Sequence, residues 1–224
     1  MTNRFLTRPL SHSQLSAWEY DPTEWYKRYI LGERFEPNAT MIAGTKIGDA
    51  IGTGACPLLK AKSKEHYIYP SGVKEFKLTA KLGDIYLVGY CDHFDPTTHT
   101  LHENKTSTNR YRWNQRKTDE HDQFTMYALM LFLCHNIPPE DVTMYLNFIP
   151  TCKLLVPKAD FKDVPEWALD EHICDERVEL PDVIEWKQYP TKRTTEDLER
   201  YVTYVENTVK AMQEYVDNFA ESQG

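Results

Sequence analysis

A chain of 224 residues, 41% hydrophobic and 12% aromatic, is long enough to bury a sizeable core and suits one domain with elaborations better than two. No stretch approaches the roughly 20 uninterrupted apolar residues of a membrane span, and the N-terminus lacks a signal-peptide core; five scattered cysteines without a C-x-x-C pair argue against a disulfide framework, a zinc site or an iron–sulfur site. The missing span and the cysteine pattern make a soluble, cytoplasmic protein the expectation, in the host cytoplasm or nucleoid if the source is viral, and a net charge of −8 argues against a surface that is basic all over.

In chain order, Ser11-x-x-Gln14 reads as a capping box opening a short helix through Trp18, and Asp21-Pro22 restarts a helical run over 24–31 that Gly32 ends. A further helix is expected over 42–61, although it carries Gly44, Gly48, Gly52 and Gly54. The period then changes to two over 67–70, 73–80, 84–95 and 100–105, with turn chemistry at Pro70-Ser71-Gly72 and Asp95-Pro96-Thr97-Thr98, which predicts an antiparallel meander. Residues 119–135 read as helix, apolar almost all round from Phe124 to Leu133, as in a helix buried between a sheet and other helices; Pro138-Pro139 breaks it. Strands are expected over 142–149, returning over 153–156, and near 178–186 within an otherwise irregular 157–193. A long helix from Thr194 carries Leu198, Val202, Val205, Val209, Met212, Val216 and Phe219 at spacings of four and three, a stripe suited to packing on the same chain and, less so, to a coiled-coil seam.

The chemistry concentrates in the hairpin at 89–105. A turn centred between Thr97 and Thr98 makes paired residues sum to a constant that places Asp92 across from Glu103, both on one face. Two opposed carboxylates repel unless a cation lies between them, and hard oxygen donors select Mg²⁺ or Mn²⁺. Lys105, two residues beyond Glu103, shares that face and is placed to orient a water or offset phosphate charge. His93, His102 and Asn104 point the other way, though the Asn104 backbone carbonyl remains available as a ligand. From Lys105 to Thr118 the chain holds Arg110, Arg112, Arg116 and Lys117 and no acid, with Tyr111 and Trp113 interleaved, a composition suited both to a solvated loop and to a groove tracking a nucleic-acid backbone. Trp18, Trp25 and Tyr26 are expected in the core. Gln123 and Tyr127, one helical turn apart, form either a buried polar pair or part of the site.

Taken in order, Leu10-Ser11-His12-Ser13-Gln14-Leu15 with Asp21-Pro22 and Tyr26-x-x-Tyr29-Ile30, then Gly89-x-x-Asp92, Glu103-x-Lys105-Thr106-Ser107 and Gln123-x-x-x-Tyr127, the chain resembles the RecB-like branch of the PD-(D/E)XK nucleases, which includes lambda-type exonucleases and CRISPR-adaptation nucleases. The resemblance spans nearly the whole length. It implies an α/β fold with a central mixed sheet flanked by helices and a long C-terminal helix, in a single domain over 1–224: N-terminal helices over 1–62, catalytic sheet and helix over 63–157, and an irregular segment and closing helix over 158–224. It further implies catalysis by Asp92, Glu103 and Lys105, with metal held by Asp92 and Glu103 and a substrate strand or the lysine held by Gln123 and Tyr127; the residues themselves add the Asn104 carbonyl as a further metal ligand and Arg110, Arg112 and Arg116 as a strip beside DNA. The products would be 5′-phosphate and 3′-hydroxyl ends. Two departures stand out. Gly48 occupies the place of the family's metal-binding histidine, where Asp49 offers an oxygen ligand instead, and Tyr20 replaces the cysteine of cluster-bearing members, so no iron–sulfur cluster is expected.

The expected activity is therefore metal-dependent hydrolysis of DNA, by an exonuclease in recombination, repair or viral and mobile-element DNA processing. With no G-x-x-x-x-G-K-[ST] loop, any unwinding falls to a helicase or recombination partner; a homo-oligomer is compatible, a membrane partner is not expected. The rival reading is a weak or inactive member of the same fold that binds nucleic acid or a protein, and a hydrolase of a non-nucleic phosphate ranks behind both.

Overall fold

The computed structural model describes residues 8–35, 72–107, 109, 111–150 and 187–222. The helix expected over 42–61 and the strands expected over 67–70, 153–156 and 178–186 lie outside those residues, as do Asp49 and Arg110.

Ser11 opens α1 (His12–Tyr20) by accepting the Gln14 N–H at 3.3 Å, but the Gln14 amide turns back to the Pro9 carbonyl, so only half of the capping box forms. Asp21 then caps α2 (Pro22–Trp25) through the N–H groups of Thr23 and Glu24, with Pro22 in the first turn, where it forfeits no hydrogen bond. The helix runs on as a wider π-helical turn, Tyr26–Leu31, and stops at Gly32, whose φ of 75° puts it in the left-handed region.

Five strands follow in a mixed sheet ordered β1-β2-β3-β4-β5: β1 (Val73–Leu82), β2 (Ile85–Asp95), β3 (Thr100–Ser107), β4 (Thr143–Pro150) and β5 (Lys187–Thr191). β1, β2 and β3 form the expected antiparallel meander, β4 runs parallel to β3, and β5 returns antiparallel to β4. Parallel neighbours need a long crossover. It is supplied by α3 (Gln115–Asp119) and α4 (Asp122–His135): the helix expected over 119–135 is α4, and before it Asn114 caps a short helix that the pattern did not predict, the chain bending at Glu120 and His121 between the two. β5 falls inside the stretch expected to be mostly irregular; its polar residues and Pro190 suit an edge position among the described strands but carry no alternating apolar pattern.

α4 is buried without interruption from Phe124 to Leu131 because it lies between β1 and β2 on one side and α5 (Thr195–Ser222) on the other; Phe132 and Leu133, at its end, emerge into solvent. Thr194 and Asp197 cap α5 reciprocally, the Thr194 N–H donating to Asp197 Oδ2 and the Asp197 N–H to Thr194 Oγ1. In its stripe Leu198, Val205, Val209 and Met212 are buried, and Val202, Val216 and Phe219 pack partly buried against the same core. Each full burial contributes roughly 1.5–3 kcal/mol, which directs the stripe onto the body of the chain and away from a coiled-coil partner.

Candidate active site

The β2–β3 hairpin turns on Asp95, whose carboxylate accepts the Thr97 N–H at 2.8 Å. Its register, His93 with His102, Phe94 with Leu101 and Asp95 with Thr100, is that of the expected turn, in which the next pair would be Asp92 with Glu103. Backbone pairing stops at His93–His102. Beyond it β3 leaves β2, and the Asp92 carboxylate takes the place of a backbone acceptor by receiving the Asn104 N–H. Farther along, the edge of β2 that β3 has vacated is filled by Leu10, which donates to Tyr86 O at 2.6 Å and accepts from Val88 N–H at 2.9 Å. The start of α1 is thereby fastened to the same strand that carries Asp92.

Glu103 and Lys105 emerge from β3 towards α4. The Lys105 ammonium donates to Glu103 Oε1 at 2.8 Å and to Gln123 Oε1 at 2.7 Å. The Gln123 amide donates in turn to Glu103 Oε1 at 2.9 Å and to the Tyr127 hydroxyl at 2.6 Å, and that hydroxyl donates to Tyr90 O at 2.6 Å. Gln123 and Tyr127 therefore hold the lysine and the carboxylate. Gly89 makes this approach possible: a Cβ there would stand 2.8 Å from the Tyr127 ring and 2.7 Å from Met130 Cε.

Burial first, and the Glu103 carboxylate second, push Asp92 up to about 7. Burial and Glu103 also raise Tyr127 far above its ordinary value, which keeps the phenol protonated as a donor. His12 and His121 stand with ring centroids 5.3 Å apart, and His121 lies 4.9 Å from Trp113. Burial, helped by the Lys105 charge, lowers His12 to about 4 and His121 to about 3, so both are neutral imidazoles near pH 7. Sequence reasoning gave neither a role; His12 was visible only as part of the opening motif, and His121 had no pattern to mark it. His93 meets His102 edge-on at 5.5 Å, and His102 stacks on Tyr145 at 5.1 Å.

A cleft of about 780 Å³ opens over the network, with Glu103, Lys105 and Gln123 on one side and residues of α1 and α2 on the other. Trp113 lines it, whereas Arg112 and Arg116 do not: both are exposed, Arg116 lies 4.0 Å from Glu120, and Lys117 donates to Arg112 O. The cations that do line it with Lys105 are Lys27, Arg28 and Arg34, which the sequence reading passed over; their clustering beside Trp25, Tyr26, Tyr29 and Phe35 was the available signal. Trp25 and Tyr26 are buried as expected, and Trp18 packs edge-on to Trp25 at 5.0 Å.

The donors present, two carboxylates of which Glu103 helps to raise the proton affinity of Asp92, suit a hard divalent cation, which offsets that repulsion. No group of three or more His, Cys, Asp or Glu side chains at metal-binding spacing occurs among the described residues.

This strand order, with an acidic pair and a lysine on adjacent strands and a crossover helix behind them, is a PD-(D/E)XK nuclease-like α/β fold. Among solved structures the chain is similar to a phage-related exonuclease from Haemophilus somnus 129PT, at 14% identity over 99% of this chain and 93% of that one, with a TM-score of 0.50. It is also similar to a protein from Eubacterium rectale described as an exonuclease, at 11% identity over 91% of this chain and 79% of that one, with a TM-score of 0.56. No protein-family model and no curated protein matches the sequence. Among the described residues no helix is long and apolar enough to cross a membrane.

Proposed function

We propose that this protein is a divalent-metal-dependent deoxyribonuclease, a single-domain exonuclease serving recombination, repair or the DNA processing of a virus or mobile element. The observation that carries the reading is the Lys105 ammonium, held by Glu103 and Gln123 beside an open cleft, with the Asp92 carboxylate accepting the N–H of Asn104, the residue between them in the chain. Asp92, Glu103 and the Asn104 carbonyl would hold Mg²⁺ or Mn²⁺, with Asp49 a further candidate. When bound, the ion supplies a Lewis acid for the phosphate and makes water a better nucleophile. Lys105 orients the attacking water and balances charge gathering on the phosphate. Tyr127 and Gln123 fix the lysine, so that little reorganisation is needed as charge develops. DNA is the substrate, a helicase or recombination protein the expected partner, and self-association is compatible with the site.

Digestion of 5′- and 3′-end-labelled linear and circular DNA with Mg²⁺ or Mn²⁺ tests the proposal. Cleavage by the wild type that is lost in both Lys105→Ala and Glu103→Ala is expected. A wild type that binds DNA and cuts nothing with either metal refutes it in favour of the binding reading.

A further inference from the structure

The wall of the cleft that faces Lys105 is polar and aromatic in a way the fold itself does not require. Tyr20, at the end of α1, is 91% exposed although it lines the cleft, and Phe35 is 51% exposed just past Gly32. Both rings border one cleft, which sets them apart from exposed rings such as Tyr86, Tyr90 and Tyr111, which do not line it. Arg28 lies over the Phe35 ring at 4.7 Å and over Tyr29 at 5.1 Å. Neither Arg28 nor Arg34 forms an ion pair among the described residues, whereas neighbouring Lys27 is matched by Glu24 at 2.7 Å; Glu33 is the other acid on this wall. Trp113 faces them from the α3 side, beside the neutral imidazoles of His121 and His12. In a chain with a net charge of −8, unpaired guanidinium groups beside exposed rings mark a place for an anionic ligand with flat faces.

The cleft's size narrows the ligand further. About 780 Å³ is the scale of a pocket that encloses a small ligand, which suits a short run of one strand better than a duplex. We infer that this cleft binds the single-stranded end of a nucleic acid, with bases stacked on Tyr20, Phe35 and Trp113 and phosphates against Arg28 and Arg34, and so delivers one strand to Lys105. The inference rests on the nuclease reading of the same site and adds its substrate class.

The test is fluorescence polarisation of a fluorescein-labelled oligonucleotide, single-stranded or as a blunt duplex of the same sequence. It is run in EDTA, so that binding is read without cleavage. The single strand is expected to bind at least tenfold more tightly than the duplex. Tyr20→Ala and Phe35→Ala are expected to weaken it by about five- to a hundredfold each, the range for lost base stacking. Arg28→Ala and Arg34→Ala lower affinity and flatten its dependence on salt. All four positions are exposed, and unchanged thermal melts check that the variants remain folded. Equal affinity for duplex, no binding of the single strand, or affinity indifferent to all four substitutions overturns the inference. A protein that cleaves duplex ends alone loses this inference and keeps the nuclease reading; one that binds single strands through these residues and cleaves nothing does the reverse.

Discussion

The two sides of the cleft are built on opposite principles. On the β3–α4 side the polar groups interlock: Lys105, Glu103, Gln123 and Tyr127 form a closed run of hydrogen bonds backed by buried apolar residues. On the α1–α2 side, Tyr20, Arg28, Arg34 and Phe35 stand in solvent. A group whose partners are already in place is ready for one task and intolerant of change, whereas an exposed group waits for a ligand and tolerates change until the ligand arrives.

Substitutions should separate the two sides, starting with the largest effect. Lys105→Ala is expected to cost on the order of 10²–10³ in kcat, the scale for losing one positioned electrostatic group, with little change in DNA affinity in EDTA. Next comes Arg193, buried just ahead of α5, which donates to Thr125 Oγ1 at 2.8 Å and to the carbonyls of Thr118 and His121 at the bend between α3 and α4. Arg193→Ala leaves those acceptors unmet at about 1–3 kcal/mol for each that stays dry, and urea titration should show the loss together with a lower kcat. Gly89→Ala drives a methyl group into Tyr127 and Met130 and is expected to cost about 1–3 kcal/mol as overpacking, again with activity falling. At the small end, Tyr20→Ala should change stability by no more than about 0.5 kcal/mol while DNA binding falls. A large loss of stability there would erase the contrast between the two sides.

The interlocked side also predicts a pH dependence. Asp92 is raised from the ordinary 3.8 to about 7, so protonation favours the folded state. That contribution is complete below the unfolded value and is lost as pH rises through about 7. In EDTA, thermal melts should therefore show a less stable protein at pH 8 than at pH 5, and Asp92→Asn should flatten the trend. Adding Mg²⁺ at pH 8 should raise the melting temperature of the wild type and not that of Asp92→Asn.

Much of this architecture was legible from periodicity. The alternation over 84–95 and 100–105, with an Asp-Pro-Thr-Thr turn between, contained the hairpin register, because a shift by one residue would put His93, Asp95 or His102 into the apolar layer that Phe94 and Leu101 occupy. The uninterrupted apolar run in α4 announced burial on all sides. The bend at Glu120 and His121 was not legible, since what holds it is Arg193, more than seventy residues away in the chain. β5 was missed because its strand pairs through backbone groups while its side chains alternate weakly. Arg28 and Arg34 were passed over for a similar reason: what sets them apart is a cleft formed with Lys105, whose neighbourhood local sequence does not record.

The two hydrogen bonds that join Leu10 to β2 bear on how the cleft comes into being. Leu10 meets Tyr86 and Val88, partners that a ribosome delivers long after α1 and α2 have emerged. Such distant pairing carries a loop-closure cost that the local hairpin β2–β3 does not bear. The N-terminal helices are therefore made before any of their distant partners, and they cannot finish docking until both β2 and α5, on which they also pack, have been synthesised. Amide exchange at Leu10 and Val88 faster than at the centre of α4 would be the trace of that late docking in the finished protein.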